Sequence, residues 1–279
     1  MTEEKPDWCP GCGLYGIQTA LKQALSELNL EPHKVFLATG IGCGSKMAHW
    51  INVYATHTLH GRLLPVAAGA KLANHSLTVI GMGGDGDGYG IGMGHFVHTM
   101  RRNIDILYLV NNNQIYGLTK GQASPTSEKG MKTKSTPFGV IETPVNPIAF
   151  AICSGATFVA RGFAGDLEHL KWLIAEGIKH KGFSLIDILQ PCITFNKINT
   201  FDYFRQRVYK INDNVGYKTS DAEAALKRSH EWGDKIPIGI FYQESREINE
   251  ELEPQLAKEP LAYQDISSID VAPIMEKFV

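Results

Sequence analysis

Continuous apolar runs alternate with helical periodicity along the first two thirds of the chain. Residues 13–30, GLYGIQTALKQALSELNL, carry apolar positions at the three- and four-residue spacing of an amphipathic helix. KVFLATG (34–40) predicts a strand that ends at glycine. PVAAGAKLAN (65–74) predicts a helix opened by proline, LTVIGMGG (77–84) a buried strand, GMGHFVHTMRRN (92–103) a helix, and IDILYLVN (104–111) a second strand without polar alternation. ATFVAR (156–161), DLEHLKWLIAEGIKH (166–180) and FSLIDIL (183–189) repeat the strand–helix–strand series. Strands apolar on both faces, with helices between them, predict an α/β fold: a doubly wound parallel sheet covered on both sides. In such sheets ligands bind beyond the carboxyl ends of the strands, where strand order reverses.

The pattern changes after Cys192. A polar, aromatic stretch without clear period leads to one helix, DAEAALKRSHEW (221–232), one short strand, IGIFYQ (238–243), and a charged, irregular end. The expected division is a main α/β domain over 1–195 and a C-terminal extension or arm over 196–279 that packs on that domain or on a partner subunit.

With 279 residues, 43% apolar and 20% charged, the composition is that of a globular chain. A net charge of -2 gives no basic footprint, so nucleic acid is not an expected partner. The start, MTEEKPDW, is acidic and has no apolar h-region, and no apolar run approaches the roughly 18 residues of a membrane span. The expectation is a cytoplasmic protein with no membrane contact. Five cysteines, an odd number in such a chain, argue for ligation chemistry rather than a disulfide framework.

Two stretches have no use in a packed core: GGDGDGYGIG (83–92) and LVNNNQIYG (109–117). Each begins where a predicted strand ends, and adjacent parallel strands would bring the two together. Asp85 offers an anionic oxygen and Asn113 a neutral carbonyl oxygen, a donor set that suits Mg²⁺ bridging to phosphate. The glycines let backbone N–H groups approach those phosphates closely. A dinucleotide fingerprint would want an acidic residue at a later strand end, where asparagines stand here. Cys9 and Cys12 in WCPGCG, Cys43 in ATGIGCGS and Cys192 in LQPCITFN provide four thiols. Four thiolates suit zinc or an iron–sulfur cluster, and spacing alone does not decide between them. Their one close pair and two distant singles, at strand ends on the side of Asp85, fit a redox centre better than structural zinc. Cys153, in FAICSGA, reads as a buried core thiol.

GDG followed by NN at 112 and 113 is the signature of thiamine diphosphate enzymes. In that resemblance Asp85, Asn113 and the backbone carbonyl of Ile115 hold Mg²⁺, and Mg²⁺ holds the diphosphate. WCPGCG, ATGIGCGS, HGRLLPVAAGAKLAN, GGDGDGYGIGMGH, NNNQIYGLTKGQ and QPC, in that order over residues 5 to 195, resemble the β subunit of 2-oxoacid:ferredoxin oxidoreductases. YGLTKGQ, with Leu118 and Lys120, looks more like the 2-oxoglutarate members than the pyruvate members.

That resemblance implies a thiamine diphosphate-binding fold in which Cys9, Cys12, Cys43 and Cys192 bind a [4Fe–4S] cluster. It implies cofactor contacts from Ile41, Gly42, Cys43 and Gly44, from His60, Gly61 and Arg62, and from Gly86, Asp87, Gly117 and Leu118. The implied reaction is coenzyme A-linked oxidative decarboxylation of 2-oxoglutarate to succinyl-CoA and CO₂, reversible as reductive carboxylation, with electrons passed to an external ferredoxin. No glutamate of the first 85 residues lies in a motif that would serve the aminopyrimidine. The family supplies that residue from a second subunit, so an α subunit is an expected partner, in an αβ or (αβ)₂ assembly. Lys46, just after the Cys43 turn, is the candidate for pairing with the distal carboxylate of 2-oxoglutarate, and His60 is the histidine placed in a family motif. The alternatives are pyruvate or general 2-oxoacid specificity, or a non-redox thiamine diphosphate decarboxylase or synthase subunit. The latter leaves the four cysteines without a role.

Overall fold

The computed structural model describes residues 4–267 and 269–278. Eight strands form one sheet: β1 (Val35–Thr39), β2 (Tyr54–His57), β3 (Thr78–Gly84), β4 (Leu107–Asn112), β7 (Phe158–Phe163), β8 (Ser184–Leu189), β9 (Val208–Lys210) and β10 (Ile236–Gln243). Two-residue strands β5 (Ile115–Tyr116) and β6 (Gln122–Ala123) pair separately as a small antiparallel ribbon. The large sheet runs in the order β2-β1-β3-β4-β8-β7-β10-β9. All its neighbours are parallel except β10, which is antiparallel to β7.

The central strands are buried on both faces, and this is why they read as unbroken apolar runs. In β4, Leu107 and Leu109 face one helical layer while Tyr108 and Val110 face the other. The first layer holds α1 (Leu14–Glu27) against α5 (Leu167–Lys179), through Leu14, Ile17 and Leu21 with Leu170, Leu173 and Ile174. The second holds α2 (Leu63–Ala73), α3 (Met93–Arg102) and α4 (Pro147–Cys153), and its core includes Leu63, Phe96, Met100 and Ile148. α6 (Phe201–Arg205) and α7 (Ala222–Ser229) follow, α7 packing on α4 and β10. Among the described residues no helix is long and apolar enough to cross a membrane.

Several boundaries move for local reasons. α2 starts at Leu63, two residues before Pro65, which the first turn tolerates because its N–H groups have no partner within the helix. β2 escaped the sequence pattern because it is an exposed edge strand with no apolar run. Cys153 corrects its sequence reading: it is exposed, not buried. α4 buries Pro147, Ile148 and Ala151, and Cys153 ends the helix on the opposite face.

The segment after Cys192 contributes to the main sheet. Phe241 of β10 is fully buried in the second core, and Ile236 and Ile238 pack with Phe163, Leu189 and Phe204. β10 bulges between Ile240 and Tyr242, just after Gly239, whose φ of +125° and closeness to Asn212 Oδ1 exclude a side chain. Asn212 then brackets Ile240, accepting from its N–H at 2.8 Å and donating to its carbonyl at 3.1 Å.

One carboxylate ties the strand-end loops together. Asp87, buried just past β3, accepts through Oδ1 from the N–H of Ile41 at 2.9 Å and the N–H of Gly61 at 2.8 Å. The loops after β1, β2 and β3 therefore meet on one oxygen. A Cβ at Gly40 would lie 1.9 Å from Asp87 Oδ2, so only glycine fits there.

Gly40→Ala is expected to displace the carboxylate and cost about 1–3 kcal/mol, the penalty of leaving buried donors without an acceptor. An unchanged urea midpoint would contradict this. Phe241→Ala is expected to cost about 3–5 kcal/mol in the same measurement; a loss under about 1 kcal/mol would mean β10 is not part of the core.

Candidate active site

Strand order reverses between β1 and β3, because the chain goes outward to β2 and returns on the other side of β1. Beyond the carboxyl ends of β1, β3 and β4 lies a cavity, the place where doubly wound sheets take ligands. Its lining comes from four strand ends and the loops that follow them: Ile41, Gly42, Cys43 and Gly44 after β1, His60 after β2, Gly84, Asp85, Gly86 and Asp87 at and after the end of β3, and Asn111, Asn113 and Ile115 through Thr119 at and after the end of β4.

Asp85, Asn113 and Ile115 share this cavity. Asp85 Oδ2 accepts from Ser124 Oγ and from Thr126 Oγ1, both at 2.6 Å. Burial pushes its carboxyl up to about 6, with the two hydroxyls pulling the other way. Asn113 donates from Nδ2 to Gln190 Oε1 at 2.9 Å, and its Oδ1 accepts from the N–H of Ile115 at 3.1 Å. Between them Gln114 takes a left-handed φ of +58°. Strain of that kind in a non-glycine residue gathers at ligand sites. The glycine stretch after β3 forms a short π-helical turn, Gly86–Ile91, closed by a Gly92 N–H to Asp87 carbonyl bond of 2.9 Å. Such turns concentrate at functional positions. Close packing fixes the turn: a Cβ at Gly86 would sit 2.2 Å from the Tyr116 ring, and Tyr116 Oη donates to the Gly86 carbonyl at 3.1 Å.

Polar atoms in the lining remain available. Asn111 donates from Nδ2 to the Gly83 carbonyl, while its buried Oδ1 has no partner among the described residues. His60 Nδ1 lies 3.1 Å from Asp87 Oδ1 but off the angle of a hydrogen bond. Burial raises the Asp87 carboxyl above its ordinary range, opposed by the Gly61 and Ile41 N–H groups and by His60. Gly61 stands behind the cavity, at a φ of +69°, and exposed Arg62 donates to the His60 carbonyl at 3.2 Å.

Cys9, Cys12 and Cys192 stand outside this lining, beside Cys43, which belongs to it. Burial pushes the Cys12 thiol up to about 12, and proximity to Cys192, Cys43 and Cys9 adds to the rise. Burial and Cys192 raise Cys43 as well. Trp8 donates from Nε1 to the Cys43 carbonyl at 2.7 Å, and Gly13 N–H bonds the Pro191 carbonyl at 3.2 Å, so three separate segments converge. Among the described residues no three His, Cys, Asp or Glu side chains gather tightly enough for a single metal ion. Gly117 separates thiols from oxygen donors: a Cβ there would lie 3.4 Å from Cys192 Sγ, 3.9 Å from Cys43 Sγ and 4.0 Å from Asn113 Nδ2.

Lys46 does not line the cavity. Its ammonium is held by both carboxylate oxygens of Asp7, at 3.0 and 2.9 Å, in a partly exposed pair. Leu118 is exposed at the cavity rim.

The sequence reading missed the residues that support this site. Thr126 Oγ1 also approaches Asn112 Oδ1 at 2.9 Å, and Asn112 donates to Asp187, which receives the Tyr89 hydroxyl at 3.0 Å and faces buried Arg161 at 3.6 Å. A lone acid in the apolar run of β8, and a lone arginine in that of β7, were the available signals. A larger cavity borders this network, lined by Gln114, Arg161 and Trp232 among others, and it holds none of the thiols.

Residues 33–188 match the thiamine pyrophosphate enzyme C-terminal TPP-binding domain, and 192–258 match the C-terminal region of the pyruvate ferredoxin oxidoreductase β chain. The chain is 52% identical over 270 residues to a 2-oxoacid:ferredoxin oxidoreductase β subunit of Saccharolobus solfataricus, covering 93% of this chain and 88% of that one. It is 38% identical over 210 residues to the 2-oxoglutarate synthase subunit KorB of Archaeoglobus fulgidus, covering 75% and 78%. A solved 2-oxoglutarate:ferredoxin oxidoreductase from Magnetococcus marinus, with 2-oxoglutarate, coenzyme A and succinyl-CoA bound, superposes with a TM-score of 0.90 at 38% identity, over 99% of this chain and 93% of that one. With its mostly parallel sheet, its switch-point cavity and these relatives, the chain belongs to the β subunits of the 2-oxoacid:ferredoxin oxidoreductases.

Proposed function

We propose that this β subunit, with an α subunit, catalyses oxidative decarboxylation of 2-oxoglutarate with coenzyme A. The products are succinyl-CoA, one CO₂, one proton and two electrons, the electrons passing through a [4Fe–4S] cluster to ferredoxin, and a strong reductant drives the reverse carboxylation. The observation that carries this reading is Gly117, a residue without a side chain between the sulfurs of Cys43 and Cys192 and the oxygen-donor cavity. A route for electrons from an organic cofactor to a cluster needs that closeness; a decarboxylase without redox chemistry does not.

The residues present fit the groups the family implies. Among the described residues no cationic side chain sits on the buried Asp85 carboxylate, and Asn113 and Ile115 share its cavity, so these three would hold Mg²⁺. Cys9, Cys12, Cys43 and Cys192 would hold the cluster. Thiamine diphosphate, when bound, supplies the nucleophilic carbon and the electron sink for loss of CO₂. The protein's part is placement. The Asp87 tie fixes the loops that carry Ile41, Gly42 and His60, which would contact the cofactor, and the glycine turn would offer backbone N–H groups to the diphosphate. The α subunit would supply the carboxylic side chain that serves the aminopyrimidine. Lys46 would pair with the distal carboxylate of 2-oxoglutarate, in exchange for Asp7. The Magnetococcus enzyme with 2-oxoglutarate bound supports this substrate. A second reading, broad 2-oxoacid specificity, is favoured by the engagement of Lys46 with Asp7 and by the general name of the Saccharolobus relative.

Viologen reduction by the oxygen-free complex, with coenzyme A and 2-oxoglutarate, pyruvate or a branched-chain 2-oxoacid, separates these readings. A preference for 2-oxoglutarate of about tenfold or more, worth one good charge pair, is expected to disappear in Lys46→Ala. Equal use of all three acids would establish the broad reading, and no coenzyme A-dependent reduction by a cofactor-loaded complex would refute both. The β chain alone is expected to reduce no viologen; turnover without its partner would contradict the shared site.

A further inference from the structure

Asp85 differs from the other two proposed metal donors in one respect. Asn113 and Ile115 each offer a single oxygen, whereas a carboxylate can give one oxygen or two. Its Oδ2 is engaged by two hydroxyl donors at 2.6 Å, the short range of charge-assisted bonds. No hydrogen bond from another side chain falls on Oδ1 among the described residues. The donors are fixed in place. Ser124 donates its N–H to Ser127 Oγ at 2.8 Å, and Ser127 Oγ donates to the Gln114 carbonyl at 2.6 Å. Asp85, Ser124, Thr126 and Ser127 are all buried, so water does not compete.

We infer that the Ser124–Thr126 hydroxyl clamp selects the divalent cation at this site, by confining Asp85 to single-oxygen coordination. Mg²⁺ demands near-octahedral geometry with donors at about 2.0–2.1 Å and accepts a one-oxygen carboxylate, whereas Ca²⁺ takes 6–8 oxygens and gains from a two-oxygen one. Holding Oδ2 away from the metal therefore penalises Ca²⁺ and leaves Mg²⁺ unaffected. The inference rests on the reading of Asp85 as a metal ligand, and the test treats the two separately.

The test uses the αβ complex stripped of metal and thiamine diphosphate. Thiamine diphosphate binding is followed calorimetrically at saturating Mg²⁺ or Ca²⁺, and the ratio of the two affinities is the readout. Ser124→Ala is expected to move that ratio towards Ca²⁺ by about tenfold, the equivalent of one charge-assisted hydrogen bond, and Thr126→Val further. Thr126→Ser, which keeps the hydroxyl, is expected to retain the wild-type ratio. If Thr126→Val does not fold, Ser124→Ala alone decides. An unchanged ratio in Ser124→Ala, while Asp85→Asn abolishes metal-dependent binding, would overturn the clamp and leave the ligand reading intact. Metal-dependent binding that survives in Asp85→Asn would overturn both.

Discussion

The site depends on a buried carboxylate that is shared. Asp87 Oδ1 collects N–H groups from the loops after β1 and β2 while the residue itself sits just past β3. Three chain segments far apart in sequence are fixed by one oxygen in a place where water does not compensate a lost bond. The crowding this produces explains the glycines: Gly40 and Gly83 stand where a methyl group would meet Asp87 Oδ2, and Gly88 where it would meet the Tyr108 hydroxyl. In GGDGDGYG, Gly83 leaves room for the Asp87 carboxylate, Gly86 for the Tyr116 ring and Gly88 for the Tyr108 hydroxyl.

Around that tie the molecule places two kinds of donor beside one loop. The residues after β4 present oxygen donors to the switch-point cavity and, at Gly117, a bare backbone to the sulfurs. Behind them the Ser124–Pro125–Thr126–Ser127 turn and the Asn112–Asp187–Arg161 network form a buried polar support whose members hold one another. Burial raises the Asp187 carboxyl and lowers the Arg161 guanidinium, and each opposes the shift of the other. Such networks are costly when broken, and they keep donors in one geometry.

The sheet was legible because two-sided burial demands unbroken apolar strands: the runs at 35–39, 78–84, 107–112 and 184–189 all appear. Edge strands were not, because β2 and β9 meet neighbours on one side only and need no such run. Within the site, the residues expected to touch the cofactor carry recognisable spacing and are brought to one cavity, save Gly61 and Arg62, which stand beside it. Their supports carried no signal: Ser124, Thr126 and Gln190 are ordinary polar residues until the fold brings them to Asp85 and Asn113. Lys46 illustrates a further limit, since spacing placed it after the Cys43 turn but did not reveal that Asp7, from the N-terminal segment, would hold its ammonium.

In the proposed enzyme, thiols from three distant segments form one redox centre beside the switch-point cavity. Iron and acid-labile sulfide, quantified in the αβ complex purified without oxygen, test it most directly. The account predicts about four of each per β chain, lost on Cys→Ser change at Cys9, Cys12, Cys43 or Cys192 and retained in Cys153→Ser. Zinc in place of iron, with no sulfide, would contradict it.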